Sequence, residues 1–401
     1  MKIMILNSGS SSIKYQLINS VTHKILCKGL IEKIGEKESF IHHIAEKHQF
    51  EIKENIKDHS RAIQRISTLL VDHKYGPIDS LNDIDAIGHR VVHGGEKYAE
   101  SVLIDEDVIG TIRENIKLAP LHNPPNLKGI LSSLELMPEK PQVAVFDTSF
   151  HQTMPPYIYI YGLPYDFYKN FRIRRYGFHG TSHKYVSLKA AEFLNQPIES
   201  TNLITCHLGN GSSITAVKNG KSFDTSMGFT PVEGLLMGTR SGDIDPAILI
   251  YMENDLNYTV PQINNIINKK SGLSGVSGIS NDMREIVKKA EDGDMRAKLA
   301  FDIFCYRVKK YIGAYMFSIG MVDAIVFTAG IGENCISTRE SSLKGLEEFG
   351  IIVDKKKNRN IEKGTINDIS AFNSKIRILV IPTNEELMIA KDTEAIVKNI
   401  K

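Results

Sequence analysis

Short apolar runs broken by glycine and serine recur along the chain, and they set the expected elements. Ile3-Met4-Ile5-Leu6 gives way to the polar turn Asn7-Ser8-Gly9-Ser10-Ser11, and a second run extends from Ile13 to Ile18. This predicts a strand, a glycine turn and a returning strand. Val143-Ala144-Val145-Phe146 reads as a short buried strand ending at Asp147, with a domain boundary just after it. Leu203-Ile204-Thr205-Cys206-His207, the turn through Gly209-Asn210-Gly211-Ser212-Ser213, and Ile214-Thr215-Ala216-Val217 repeat the opening pattern, and Asn219-Gly220 predicts a type I′ hairpin. Ser11-Ser12-Ile13 and Ser212-Ser213-Ile214 hold the same place in the two strand–turn–strand units, which points to a duplicated domain. From Ala297 the residues Ala300, Phe301, Phe304, Val308, Ile312, Tyr315 and Ile319 step by three and four, predicting one long amphipathic helix. Ala324-Ile325-Val326-Phe327 follows as a buried strand leading into the turn Gly330-Ile331-Gly332-Glu333-Asn334. The basic run Lys355-Lys356-Lys357-Asn358-Arg359 is expected to be a solvated loop without function.

Length and charge narrow the class. The 401 residues allow two or three domains at about 150 residues each. With 42% apolar and 24% charged residues, the chain is of ordinary globular composition and is neither disordered nor built on disulfides. Lys and Arg total 49 against 47 Asp and Glu, so the net charge of +2 supplies no field for gathering nucleic acid or an anionic membrane, and any anion must be bound locally. Cys27, Cys206, Cys305 and Cys335 form no C-x-x-C pair, which suits reduced thiols. The first apolar run is too short for a signal peptide, and the most apolar stretch, Tyr311 to Phe327, is broken by Gly313, Gly320 and Asp323, so a cytoplasmic protein is expected.

Three glycine-rich turns each follow a predicted strand, at 7–14, 207–213 and 330–334. Consecutive N–H groups and serine hydroxyls in such turns form a concavity for phosphate oxygens, and Lys14 adds a point charge; together they suggest a nucleotide. A P-loop is excluded because Thr215 stands where its first glycine belongs before Gly220-Lys221-Ser222. The dinucleotide fingerprint fails because Cys335 takes the place of the third glycine after Gly330 and Gly332. Arg90, at the end of a predicted strand in Gly88-His89-Arg90-Val91-Val92-His93-Gly94-Gly95, and Arg240, in Gly238-Thr239-Arg240-Ser241-Gly242-Asp243, could each clamp an anion bidentately; a surface ion pair is the ordinary alternative for either. His179 and His183 lie four apart, a spacing open to metal ligation on a helix or to a structural role. Asp147 follows a buried strand, where α/β active-site residues tend to lie, or caps the next element. Glu385-Glu386 could bring a carboxylate to Mg²⁺ or begin the last helix.

These segments, in this order, resemble the acetate and propionate kinase family: N-S-G-S-S-S-I-K at 7–14, G-H-R-V-V-H-G-G at 88–95, F-D-T-S-F-H at 146–151, Y-G-F-H-G-T-S-H at 176–183, H-L-G-N-G-S-S at 207–213, G-T-R-S-G-D at 238–243, G-I-G-E-N at 330–334 and I-P-T-N-E-E at 381–386. The resemblance spans essentially the whole chain. It implies an α/β fold of two duplicated actin-like, ribonuclease H-like domains around a nucleotide cleft, residues 1–150 plus 385–401 forming one and 151–384 the other, and a homodimer. It implies reversible phosphorylation of acetate by ATP with Mg²⁺ (or Mn²⁺), by direct in-line transfer. Asn7 and Glu385 would hold the metal. Lys14, His207, Leu208, Gly209, Asn210, Gly211, Asp282, Met283, Arg284, Gly330, Ile331, Gly332, Glu333 and Asn334 would bind ATP. Arg90 would hold the carboxylate; His179 and Arg240 would stabilise the transferring phosphoryl group; Asp147 matches the family's essential aspartate. Val92, Leu121, Phe178 and Pro231 match its methyl pocket. Ser8 and Ser149 replace alanines common in the family, small changes expected to shift hydrogen bonding only.

A carboxylate substrate is already ionised at neutral pH, its pKa being near about 4, so Asp147 is expected to orient Arg90, His179 or metal-bound water rather than to move a proton. Propionate kinase is the alternative within the family, since one methylene is worth only about 1–3 kcal/mol in an apolar pocket. An ATPase without an acyl acceptor is the alternative of another class, and it has no use for two arginines beside an apolar pocket.

Overall fold

The computed structural model describes residues 1–46 and 48–400. The chain forms two compact units, Met1–Phe150 with Asn384–Lys401, and His151–Thr383. The first is built on an eight-stranded sheet of β1 (Lys2–Ser8), β2 (Ser12–Asn19), β3 (Ile25–Glu32), β4 (Ser39–Ala45), β5 (His48–Glu54), β6 (Ala86–Val91), β7 (Val102–Leu103) and β8 (Gln142–Phe146). The second is built on β9 (Leu203–Leu208), β10 (Ser212–Lys218), β11 (Lys221–Thr225), β12 (Ala324–Thr328), β13 (Asn367–Asp368) and β14 (Arg377–Val380). The strand orders are β5-β4-β3-β2-β1-β6-β8-β7 and β11-β10-β9-β12-β14-β13.

The duplication is visible in these orders. In the first unit β1 pairs antiparallel with β2 and parallel with β6, and β6 pairs parallel with β8. In the second, β9 pairs antiparallel with β10 and parallel with β12, and β12 pairs parallel with β14. Each sheet therefore carries an antiparallel meander on one flank and a parallel set on the other, with the glycine turn at the same hairpin. The strand, hairpin and long-helix expectations hold to within a residue or two: the helix runs Met295–Ile319, and Asn219 and Gly220 both take positive φ, 51° and 72°, as a type I′ turn requires.

Two expectations are corrected. Residues 330–334 are not an open turn but lie in a short helix, Ala329–Asn334, entered through Ala329 at φ 64°. The basic run is the helix Lys355–Arg359, capped by the Asp354 carboxylate accepting from Lys356 N and Lys357 N, with Asn358 fully buried. Asp354 supplied the start signal that the charge run hid.

Strand alternation decides which residues meet which helices. In the first unit Met4, Leu6, Ile13, Tyr15 and Ile87 pack into a core with the helix His59–Leu70. The opposite face carries Ile5, Asn7, Gly88 and Arg90, with Ile5 paired to Gly88 and Asn7 to Lys14. The helix Glu385–Lys398 lies against that face: a Cβ on Gly88 would stand 2.5 Å from Thr393 Oγ1 and 2.7 Å from Ile389 Cγ2. In the second unit Ile204, Cys206, Leu208, Ile214 and Phe327 pack against the long helix. Thr205, His207, Ser213 and Thr215 point the other way, toward the helix Gly180–Leu194, as the His183 bond to Thr205 shows.

Candidate active site

In the first unit, β1, β6 and β8 end side by side, and their carboxyl ends present Asn7, Arg90 and Asp147. This is where α/β sheets usually keep their ligands. Arg90 Nη2 donates to Asp147 Oδ2 at 2.9 Å, and its Nε lies 3.7 Å from Glu385 Oε2. Asp147 is almost wholly buried. Glu385 opens its helix because Asn384 caps it, the amide oxygen accepting from Leu387 N at 2.9 Å. Burial pushes Glu385 up to about 7, opposed by Arg90 and assisted by Asp147 and Glu386. A cation placed among these carboxylates would relieve that repulsion. Asn7 and Glu385 supply a carboxamide and a carboxylate oxygen, a hard-oxygen pair that suits Mg²⁺ completed by water and phosphate oxygens. Among the described residues no group of three or more His, Cys, Asp or Glu is assembled as a metal site.

In the second unit a cavity of about 1020 Å³ is walled by Gly209, Asn210, Asp282, Met283, Arg284, Gly330, Ile331 and Asn334. These come from three separated stretches, as the sequence reading expected. His207, Leu208, Gly211, Gly332 and Glu333 are not in its wall. Leu208 is in the core, and the Glu333 carboxylate turns inward to accept from Ala329 N at 2.9 Å and Thr383 N at 3.1 Å. Glu333 thus ties the short helix to the segment just beyond β14. Asp282 caps the helix Met283–Glu291 through Arg284 N and pairs with the Arg284 guanidinium at 2.6 Å.

His179 and Arg240 flank Gly211: a Cβ there would stand 3.4 Å from Arg240 Nη1 and from the His179 ring. Arg240 Nη1 donates to Pro231 O at 3.3 Å, and among the described residues it has no ion pair. Burial lowers the pKa of its guanidinium. A half-buried cation with no carboxylate of its own is the feature an anionic substrate completes. His179 caps its helix in the left-handed region, φ 57°, and stacks on His207 with ring centroids 4.1 Å apart. Two of this unit's non-glycine residues at positive φ, the candidate His179 and Ala329 immediately before the candidate segment 330–334, stand where backbone strain tends to be stored. His179 and His183 are both hydrogen-bonded to the Ser213 hydroxyl.

The four methyl-pocket residues divide between the units: Val92 and Leu121 belong to the first, Phe178 and Pro231 to the second. Val92 and Phe178 are buried, whereas Leu121 is 64% exposed.

Arg339 lies outside every motif read from the sequence. It is fully buried, donating from Nη1 to the carbonyls of Gly332 (2.8 Å) and Glu333 (2.9 Å), and from Nε and Nη2 to Asn358. It holds the short helix of the cavity wall from behind. Burial pushes its pKa down to about 10, so it remains charged at neutral pH. Arg359, from the basic run expected to be solvated, and Lys363, beyond it, line the cavity too.

A cavity of about 1020 Å³ lined by glycine-rich backbone, with a partly buried arginine in each unit, is an arrangement suited to an enzyme of phosphoryl transfer, and comparison with known proteins gives the particular family. The chain belongs to the Acetokinase family, whose sequence profile matches residues 2–391. It is 57% identical over 403 residues to the acetate kinase of Caldanaerobacter subterraneus subsp. tengcongensis, covering all of both chains. Among solved structures, the acetate kinase of Porphyromonas gingivalis superposes with a TM-score of 0.95 at 48% identity, covering 99% of each chain. A propionate kinase from Francisella tularensis superposes with a TM-score of 0.91 at 47% identity, covering 98% of this chain and 99% of that one. The chain is a kinase whose phosphoryl acceptor is a carboxylate.

Proposed function

We propose that this chain catalyses the reversible phosphorylation of acetate by ATP to give acetyl phosphate and ADP, with Mg²⁺ held by Asn7 and Glu385. The observation that carries the reading is Arg240, a half-buried cation without an acidic partner among the described residues, beside His179 and the Gly209–Gly211 turn. Arg90 takes the acetate carboxylate, held in orientation by its 2.9 Å bond to Asp147. Acetate is ionised at neutral pH, so no general base is needed to generate the nucleophile. Its oxygen attacks the γ-phosphorus in line with the leaving ADP oxygen, and no covalent enzyme intermediate forms. Negative charge spreads over the equatorial phosphoryl oxygens, where Arg240 and His179 stabilise it. Mg²⁺, when bound, neutralises charge on the β- and γ-phosphates.

The same residues serve the reverse reaction. The Gly209, Asn210, Gly330 and Ile331 backbone and the Asp282–Arg284 segment hold the nucleotide. We also assign Lys14 to the phosphates, Val92, Leu121, Phe178 and Pro231 to the methyl group, a cytoplasmic location where ATP is available, and a homodimer. Support for the dimer comes from exposed apolar side chains of the second unit, including Tyr157, Tyr165, Phe171, Ile250 and Tyr251. No described helix is long and apolar enough to cross a membrane.

The test is the initial rate of ATP turnover with acetate, propionate, butyrate or no acid, trapping acyl phosphate with hydroxylamine. Trapping strongest with acetate is expected. A higher kcat/KM for propionate would move the acceptor by one methylene, and turnover indifferent to acid would overturn the kinase reading.

A further inference from the structure

We propose that Thr205, His183 and Ser213 form a hydrogen-bond relay that fixes the tautomer of His179, so that His179 donates from Nε2 to a phosphoryl oxygen only as an imidazolium. The functional consequence rests on the kinase reading above; the relay itself is a property of the second unit.

A hydroxyl carries one proton and can donate to one partner. Ser213 Oγ lies 2.9 Å from His179 Nδ1 and 2.7 Å from His183 Nε2, so it donates to one ring and accepts from the other. His183 decides which. It is fully buried, and burial beside His151 and His207 pushes its pKa well below the ordinary histidine range, so the ring is neutral and carries a single N–H. Its Nδ1 lies 2.7 Å from Thr205 Oγ1, and the Thr205 hydroxyl donates to the carbonyl of Thr215 at 3.4 Å across the β9–β10 pair. With its proton committed to Thr215, Thr205 accepts from His183 Nδ1–H. His183 Nε2 is then a lone pair that accepts from Ser213. The Ser213 oxygen in turn accepts from His179 Nδ1–H. The neutral form of His179 therefore presents a lone pair at Nε2, which repels a phosphoryl oxygen, and only the protonated ring presents a donor there.

Alternation and helix geometry build this chain of contacts. Thr205, Ser213 and Thr215 share one sheet face because Ser213 pairs with His207 and Thr215 with Thr205. His183 stands one turn beyond His179, its N–H bonded to the His179 carbonyl at 2.9 Å. The groups around the His179 ring in this unit include His183, reached through Ser213 from His179's own helix, His207 stacked from β9 and Arg240 from the 238–243 loop; His151 lies against His183 at 5.7 Å. Arg240 disfavours an imidazolium in the empty site, and nucleotide phosphates favour it, so binding of the substrate itself recruits the proton. His207 bonds to the Ser182 hydroxyl through Nδ1 at 2.8 Å and presents its face to the ring it supports.

Thr205, His183 and Ser213 are positioning residues, and their test is a tautomer and a pH profile. In ¹⁵N-histidine-labelled protein, His183 is expected to show the Nδ1–H tautomer; Nε2–H at His183 in the wild type would overturn the relay. This spectrum stands whether or not any variant folds. Thr205→Val removes the acceptor without changing side-chain volume much. His183 then turns its proton to Nε2, Ser213 donates to His179 Nδ1, and neutral His179 becomes an Nε2–H donor. Wild-type kcat at saturating substrates is expected to decline as pH rises through the His179 pKa. T205V is expected to lose about tenfold in kcat on the acid side, as a charged hydrogen bond becomes a neutral one, and to show no alkaline decline. Thr205→Ser is expected to restore the wild-type profile. A T205V profile with wild-type shape, merely scaled down, would overturn the proposal and leave Thr205 a packing residue. Absence of acid-dependent turnover in the wild type would instead defeat the kinase reading, with the tautomer spectrum still deciding the relay.

Discussion

Arg90 and Arg240 are both partly buried cations, but they differ in what neutralises them. Arg90 has Asp147 and Glu385 beside it, and Arg240 has only a carbonyl and the Met237 sulfur within the second unit. In the proposed function, the first is pre-oriented by these carboxylates and the second meets substrate charge. Replacing Asp147 with Asn keeps the shape and weakens the hold on Arg90. A loss of roughly 10²-fold in kcat/KM for acetate is expected, as for a misplaced clamp, with the KM for ATP little changed; steady-state kinetics varying each substrate would show it. Near-normal turnover would remove any orienting role for the Asp147 charge. Arg339 belongs to the nucleotide side. Arg339→Lys is expected to raise the KM for ATP about tenfold while leaving that for acetate unchanged, because it drops bonds to Gly332, Glu333 and Asn358 but keeps the charge. Equal changes in both KM values would contradict that assignment. Asp147, Arg90 and Arg240 could be singled out in the sequence as candidates because each stands in a glycine-rich or strand-terminal segment. Arg339 could not, because its acceptors are backbone carbonyls and an asparagine brought to it only by folding.

The elements that carry the site are held to their sheets by close contact and by caps. Gly88 admits the helix Glu385–Lys398 against β6, and Asn384 starts that helix where Glu385 meets Arg90. Gly88→Val is expected to push the helix away, destabilising the fold by about 1–3 kcal/mol and lowering the affinity for Mg²⁺ measured by calorimetry. Asn384→Ala should cost about 1 kcal/mol in urea unfolding through the lost cap. Strands and the long helix were readable from periods of two and 3.6, and the repeated strand–turn–strand unit was readable from Ser12-Ile13 and Ser213-Ile214. The helix at 329–334 was not, because two glycines in six residues argue for a turn; Glu333 accepting from Ala329 N and Arg339 beneath its last carbonyls stabilise it against that preference. Asp354 likewise overrode the charge repulsion that made 355–359 read as a loop.

At the scale of the whole molecule, buried neutral histidines tie stability to pH. His89, fully desolvated beside β8 and bonded to the Gln142 side chain at 2.8 Å, has its pKa pushed by burial from the ordinary 6.5 down to about 4. His183 is pushed down as well, and His43 is lowered, in both cases chiefly by burial. Below the unfolded pKa the unfolded chain binds protons that the folded chain refuses. The histidine contribution is therefore full above about pH 6.5 and is lost as pH falls toward 4, by up to about 1.4 kcal/mol per pH unit for each such histidine; the raised Glu385 carboxyl opposes it between about pH 7 and 4.5 as a single group against three histidines. Urea midpoints at pH 7, 6 and 5 should fall in that order, and a flat series would contradict the neutral assignments. The two-sheet α/β architecture and the carboxylate-kinase chemistry were both legible beforehand, since the motifs lie in separate, ordered segments along the whole chain. The 64% exposure of Leu121 was not, because no local pattern encodes how much of a loop side chain the fold covers.

The most direct test of the account is phosphorus NMR of the holoenzyme with Mg²⁺ and ATP, followed in one tube before and after acetate is added. An acetyl phosphate resonance should grow only after acetate, one for one with ADP. ADP and inorganic phosphate appearing together at the same rate, with or without acetate, would contradict it.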